Sequence, residues 1–382
     1  MTTQEQDKAL ANDILKRNWY PFLQDGTKQI ELIVDRALYH IECAHCYELK
    51  FKEEDKPYNP HEQFLQFLNW YIENNLISEV IIDGIHDMAE LIFYIDRAPS
   101  TMVLHFPLNI QLYLSNKDNS IWQKENCQYH FNCDVTDNLQ WELIDKPCRI
   151  YFDDGVKALE LYNHIHNNKI FTWKYQLPPE LNELGAYQLY QFILQYYTDM
   201  KNNLSEEEFV QWVMGKTIPI CPLPIAYNKT FRNQDKIACN MQDRLTIDLT
   251  TMGLYLCPVL DNIEFRIGTF DFSSKYNLEP HIVELMVAKD HIRQGICIGC
   301  ANCYLKGICN KACLGQGYYE SSLLGTVGSD FDTHDNLHKL YVAIILLLKE
   351  WNILDKINTD EEEFGRYLDQ LVKLGETYGY KY

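Results

Sequence analysis

The sequence predicts an α/β protein: an α/β layer or partial (β/α) barrel over about residues 25–238 and a small cysteine-rich unit over 239–325, with helices before and after them at 1–24 and 326–382. Three observations predict this. Short apolar runs alternate with stretches of helical period through the first 215 residues, the pattern of parallel strands joined by crossover helices. A proline-bearing stretch at 217–228, TIPICPLPIAYN, interrupts the alternation as a linker does. Beyond it cysteine density rises, and residues 297–317 hold five cysteines and four glycines.

The elements follow in order. Leu10, Ile14, Leu15 and Trp19 give residues 4–20 a helical period. IELIVD (30–35) is a buried strand, and a cysteine-bearing loop follows at 39–48. Residues 61–75 are strongly helical in period, SEVIIDG (78–84) is a strand ending in glycine, and 87–95 form a short helix. Further strands are predicted at 101–106, 127–135, 148–154 and 169–177, and further helices near 155–167, 185–200 and 205–214. The connections after residue 106 are irregular and leave strand order open. Two helices close the chain at about 334–352 and 360–375, the second with acidic residues 360–363 in its first turn, where the helix dipole favours them.

Composition narrows the function. With 34 Lys and Arg against 54 Asp and Glu, the net charge is −20, which disfavours phosphate backbones and therefore general nucleic-acid binding. The same charge suits a basic peptide or protein partner. The longest apolar run, 340–348, falls short of the roughly 20 residues that span a bilayer, so no membrane partner is expected. The N-terminal residues are polar with no apolar signal region, which leads to the expectation of a cytoplasmic, reducing location. Disulfides are disfavoured there, and the 13 cysteines need another account.

The strongest signal is Cys297-x2-Cys300-x2-Cys303-x5-Cys309-x3-Cys313. Two intervening residues make a tight turn that aims both sulfurs the same way, and four such sulfurs satisfy a 4Fe-4S cluster or a tetrahedral zinc. The short C-x2-C-x2-C run among glycines favours the cluster, because zinc sites usually split into two separated pairs. Other candidates are blander. His164 and His166 do not share a helix face. Cys127 and Cys133 fall on one face of a strand as packed thiols, and Cys221 and Cys239 read as lone buried thiols. DFDTHDN (330–336) reads as a helix cap rather than a calcium loop.

Cys300-x2-Cys303-x5-Cys309-x3-Cys313 resembles the central motif of the SPASM domain, which holds auxiliary 4Fe-4S clusters in radical S-adenosylmethionine enzymes that modify peptides. The stretch at 244–268 is similar to that domain's lead-in, with Cys257 and Gly268 at its Cys and Gly positions. The resemblance covers roughly 239–317. It departs at Ser273, where the family has a cysteine, and in having no cysteine after Cys313. The resemblance therefore implies one cluster, on Cys300, Cys303 and Cys309, with Cys297 as fourth ligand and Asp330, Asp332 and His334 as weaker candidates. Cys257 and Cys313 remain from the other site.

The same family opens with a strand leading into C-x3-C-x2-C, whose cluster chelates S-adenosylmethionine. Here strand 30–35 leads to Cys43 and Cys46 at the right spacing, with Tyr39 in the first cysteine position. The family's Gly-Gly-Glu-Pro-like turn after the second strand corresponds to Asp83-Gly84-Ile85-His86-Asp87, where one glycine survives. The chain thus resembles a degenerate, pseudo-radical-S-adenosylmethionine member of the peptide maturases. The resemblance implies a ribosomally made precursor peptide as ligand and an active radical maturase as partner, with S-adenosylmethionine binding disfavoured. The catalytic residues stay unassigned. Two rivals are an active peptide maturase with an atypical first cluster and a zinc-stabilised interaction protein. About 30 residues precede the first strand, too few for a separate peptide-recognition domain of at least about 50.

Overall fold

The computed structural model describes residues 29–35, 58–73, 79–165, 170–175, 181–215, 244–255, 266–272, 331–353 and 373. They form an α/β fold around one mostly parallel, nine-stranded sheet. In chain order the strands are β1 (Gln29–Ile33), β2 (Glu79–Asp83), β3 (Leu104–Asn109), β4 (Cys127–Asp134), β5 (Cys148–Phe152), β6 (Phe171–Tyr175), β7 (Arg244–Asp248), β8 (Gly253–Tyr255) and β9 (Arg266–Thr269). The helices are α1 (Pro60–Glu73), α2 (Met88–Arg97), α3 (Ile110–Leu114), α4 (Gly155–Ile165), α5 (Glu183–Asn203), α6 (Glu206–Gly215) and α7 (Phe331–Glu350).

Strand order across the sheet is β6-β5-β4-β3-β2-β1-β7-β8-β9. The first six strands are parallel and stand in chain order, and β7 joins the free side of β1, also parallel. The turn into β8 and the β8–β9 pairing are antiparallel. The strands on either side of residue 238 therefore share one sheet. Because every crossover from β1 to β6 steps the same way, the right-handed rule sends the connecting helices to one face.

That face is the core. Ile30, Leu32 and Val34 on β1, Val80 and Ile82 on β2, Leu104, Phe106 and Leu108 on β3, and Ile150 and Phe152 on β5 belong to one continuous apolar cluster. Helix α1 meets it with Phe64, Phe67, Leu68 and Tyr71, spaced as one helical face. Helix α5 contributes Leu189, Phe192, Ile193 and Tyr197. Aromatic rings fill much of the interior: Phe192 lies 4.8 Å from Phe152 and 5.1 Å from Trp173, centroid to centroid, in tilted arrangements that suit the ring quadrupole. Cys127, Cys133 and Cys148 are buried here as packed thiols, so the shared face expected for Cys127 and Cys133 holds.

Helix ends are set by their caps. The Asp87 carboxylate accepts from the amides of Ala89 and Glu90 at the start of α2. Ser205 and Glu208 exchange hydrogen bonds at the start of α6, the reciprocal pattern of a capping box. Helix α4 begins so close to α5 that a Cβ on Gly155 would lie 2.6 Å from the backbone of Gln188 and Leu189. Helix α7 packs on α5 and is pinned there by Asn336, whose buried amide donates to the Leu181 carbonyl at 2.9 Å. Just after α7, Trp351 receives the Lys201 ammonium 4.6 Å from its ring centre.

Candidate ligand site on the polar face of the sheet

Side chains alternate across a strand, so each core residue has a neighbour on the opposite face. There the residues change character. Glu31, Asp83, His105, Asn132, Thr246 and Asp248 are all buried and all polar. Register arranges them in rows. Thr246, Glu31, Ile81, His105 and Gln128 form one row across β7, β1, β2, β3 and β4. Asp248 and Asp83 flank Ile33 in the next. Asn109, Asn132, Arg149 and Thr172 continue the pattern on β3 to β6. The sheet is thus buried on both faces, apolar on one and mixed on the other, where the polar groups stand beside Ile33 and Ile81.

The carboxyl ends of β1, β2 and β7 are the most built part of this face. Backbone bonds stitch them together: the Val34 amide donates to the Asp83 carbonyl and the Leu249 amide to the Ile33 carbonyl, both at 2.9 Å. The Asp83 carboxylate accepts from the Gly84 amide at 2.8 Å. Gly84 has φ +95, and a Cβ there would stand 2.4 Å from the Asp35 carbonyl oxygen, so only glycine fits where β2 leaves the sheet beside the end of β1. Asp35 in turn holds His86, with Oδ2 2.7 Å from Nε2. On the other side, Asp248 accepts from the Thr250 amide and hydroxyl, each at 2.7 Å, and from the Thr251 hydroxyl at 2.9 Å. One step below, Thr246 donates to Glu31 at 3.2 Å. The result is an acidic edge at the carboxyl ends of parallel strands, where α/β sheets bind their ligands.

On the apolar face, titration shifts mark burial. The Cys133 thiol is pushed up by its contact with Cys148, 3.6 Å away, and by burial, which makes it a poor nucleophile. Tyr113 is raised to about 12 by burial and by the Asp145 carboxylate, which accepts a hydrogen bond from its hydroxyl at 2.9 Å.

Of the residues singled out in the sequence, the structure places Asp83, Gly84, His86 and Asp87 at this edge. Cys43 and Cys46, with Tyr39, fall outside the described residues, as do Cys257, Cys297, Cys300, Cys303, Cys309 and Cys313. His164 is exposed in the last turn of α4, and His166 lies outside the described residues. Among the described residues, no three His, Cys, Asp or Glu side chains converge on a metal position, and no helix is long and apolar enough to cross a membrane. Sequence reading missed Glu31, His105, His130 and Asp248. The signal was there in the parity: His105-Phe106 and His130-Phe131 each set an imidazole and a phenyl on opposite faces of a strand.

No known protein family, no curated protein and no solved structure matches the chain.

Proposed function

We propose that the protein is a pseudo-radical-S-adenosylmethionine, SPASM-like component of a system that modifies ribosomally made peptides. In this reading the sheet is a partial barrel that holds a precursor peptide, and a separate radical maturase performs the chemistry in the cytoplasm. The observation that carries it is the array Cys300-x2-Cys303-x5-Cys309-x3-Cys313 with its lead-in at 244–268. The sheet lends support: six parallel strands in chain order are what a partial barrel needs, and its inner face would be the polar one. The acidic edge suits a basic peptide, as does the net charge of −20.

Cys297, Cys300, Cys303 and Cys309 would hold one 4Fe-4S cluster, which when bound fixes a segment too short to build a core of its own. For S-adenosylmethionine the described residues offer less. Asp83 and Gly84 hold the place of the Gly-Gly-Glu-Pro turn, and a carboxylate there could pair with an ammonium group, but the glutamate is absent. That surviving glycine geometry, with Cys43 and Cys46, favours the second reading of an active maturase with an atypical first cluster.

Anaerobic purification followed by iron, sulfide and zinc counts tests both. The first reading expects about four irons with matching sulfide per chain, capture of a precursor peptide or partner maturase, and no 5′-deoxyadenosine under reduction. About eight irons, with 5′-deoxyadenosine formed and then lost in Cys43→Ala or Cys46→Ala, would move the second ahead. A colourless protein containing zinc and no sulfide would overturn both in favour of a zinc-stabilised interaction protein.

A further inference from the structure

The two margins of the sheet are unlike. At one, β9 is a four-residue strand whose Arg266 guanidinium donates back to the Gly268 and Thr251 carbonyls. At the other stands β6, whose one strand neighbour among the described residues is β5. The Cys148 amide donates to the Ile170 carbonyl at 3.0 Å. With Cys148 opposite Phe171 in a parallel register, that bond sets the phase of the whole ladder. The backbone groups of residues 170, 172 and 174 turn toward β5, and those of Phe171, Trp173 and Tyr175 turn outward. Among the described residues, no hydrogen bond reaches these outward groups.

This edge lacks the usual protection. Exposed edges are blunted by proline, by bulges or by charged side chains, and FTWKY has neither proline nor glycine and a single charge. Its aromatic and β-branched residues favour pairing. The side chains of Phe171, Trp173 and Tyr175 belong to the core, which fixes the backbone that carries the outward groups. Trp173 lies 5.1 Å from Phe192 and Tyr175 lies 5.3 Å from Phe152, centroid to centroid. Phe171 and Trp173 remain 6% and 7% exposed, against 2% and 0% for Cys148 and Ile150 opposite them on β5.

An alternating row of N–H and C=O groups at two-residue spacing is matched by an extended peptide. Charge decides between a second copy of this chain and a separate peptide. A second copy sets a net charge of −20 against another of −20, whereas a basic peptide is attracted. The local charge agrees. Burial raises the Tyr175 phenol and the Asp153 and Asp154 carboxylates raise it further, which places both acids near that end of β6. Asp154 caps α4 by accepting from the Val156 amide. Asp153 is exposed and makes no ion pair among the described residues.

We propose that the outer edge of β6 binds an extended basic peptide as an added strand, through the backbone groups of Phe171 and Trp173, with a basic side chain reaching Asp153. A backbone ladder gives affinity that ignores side-chain identity, so this edge accepts different sequences provided they are extended and basic. The edge stands on the sheet alone; that its occupant is a precursor peptide rests on the function proposed above.

The test is amide hydrogen exchange of the full chain, read by NMR, with and without a synthetic octapeptide of alternating Lys and Val. The probe is expected to slow exchange at Phe171 and Trp173 about tenfold or more and to leave Thr172, already bonded to β5, unchanged. The probe N-methylated at one alternate set of residues should bind about tenfold more weakly, and the probe methylated at the other set should bind as before. Asp153→Asn, at an exposed position, should weaken binding and flatten its salt dependence, and a probe with Glu in place of Lys should not bind. Unchanged exchange at Phe171 and Trp173, equal binding by both methylated probes, or binding of the Glu probe overturns the proposal. Protection that appears without probe and grows with protein concentration puts a second copy on the edge and overturns it too. A chain that carries no cluster yet binds the probe at β6 loses the proposed function and keeps this inference. A chain that carries its cluster and leaves β6 unprotected does the reverse.

Discussion

The two faces of the sheet are made by the same strands and do opposite work. On β1, Ile30, Leu32 and Val34 enter the apolar core, while Glu31 between them is equally buried on the other side. On β7, Leu245 and Ile247 alternate with Thr246 and Asp248 in the same way. The apolar face gains stability from area removed from water. The polar face carries buried carboxylates, which cost desolvation and are retained only where hydrogen bonds and ion pairs hold them. Period-two alternation thus lets one short strand meet an apolar core on one side and bury polar groups on the other.

Truncation of the core should show the largest effect. Phe192→Ala removes a fully buried ring packed on Phe152, Trp173 and Tyr162, and a loss of about 3–5 kcal/mol in denaturant unfolding is expected. Next comes Gly84→Ala, where a positive φ and a backbone collision combine. A loss of roughly 2–4 kcal/mol is expected, with a matching loss of any ligand held at the carboxyl ends of β1 and β2. Asn336→Ala removes the buried amide that donates to the Leu181 carbonyl. It should cost about 1–3 kcal/mol and speed proteolysis around α7, which would sharpen the distinction between α7 as an anchor and as an appendage.

Alkali probes the apolar face through its phenols. Tyr113 and Tyr196 are each pushed up to about 12, both first by burial, from the ordinary value of 10.0. The unfolded chain therefore releases these protons first. Their contribution to stability is complete below pH 10 and is lost as the pH climbs through about 12. Tyrosinate absorbance should rise together with unfolding, and phenols that titrate at their ordinary value in the folded protein would break the contrast. The smallest effect is expected at His130→Ala, an exposed position on the polar face. Stability should fall by about 1 kcal/mol, because the buried His105 loses the imidazole 3.0 Å from its Nδ1. A loss as large as that of Phe192→Ala would show that both faces serve the fold.

The sequence made the frame legible because the frame is periodic. All six strands expected before residue 215 appear, from IELIVD in β1 to FTWKY in β6, and the helices at 61–75, 155–167 and 185–200 fall within a few residues of α1, α4 and α5. Strand β3 runs on through Pro107 to Asn109, beyond the expected end at 106, because its pairing with β4 continues there. Helix α3 lay hidden in the irregular stretch after it, a single turn being too short to show a period. The polar face was less legible. Strands buried on both faces read as near-continuous apolar runs, and one glutamate in IELIVD or one histidine in TMVLHF looks like an interruption. Only the register, which no single strand contains, puts Glu31, Thr246, Ile81 and His105 in one row.

The strand order also carries a timetable. From β1 to β6 each strand lies beside the one made just before it, so the sheet can grow outward as the chain lengthens. The exception is the β1–β7 seam, where Glu31 meets Thr246 across 215 positions of sequence. Closing so long a loop carries the greatest entropic cost in the sheet and defers that pairing. Until it forms, β1, the first strand among the described residues, presents an open edge to its surroundings. Pulse-labelled hydrogen exchange during refolding should find the β7 amides protected last, and a β7 protected as early as β4 would overturn this order. A sheet that assembles in this way is most exposed to mispairing just before β7 docks, and at the edge of β1.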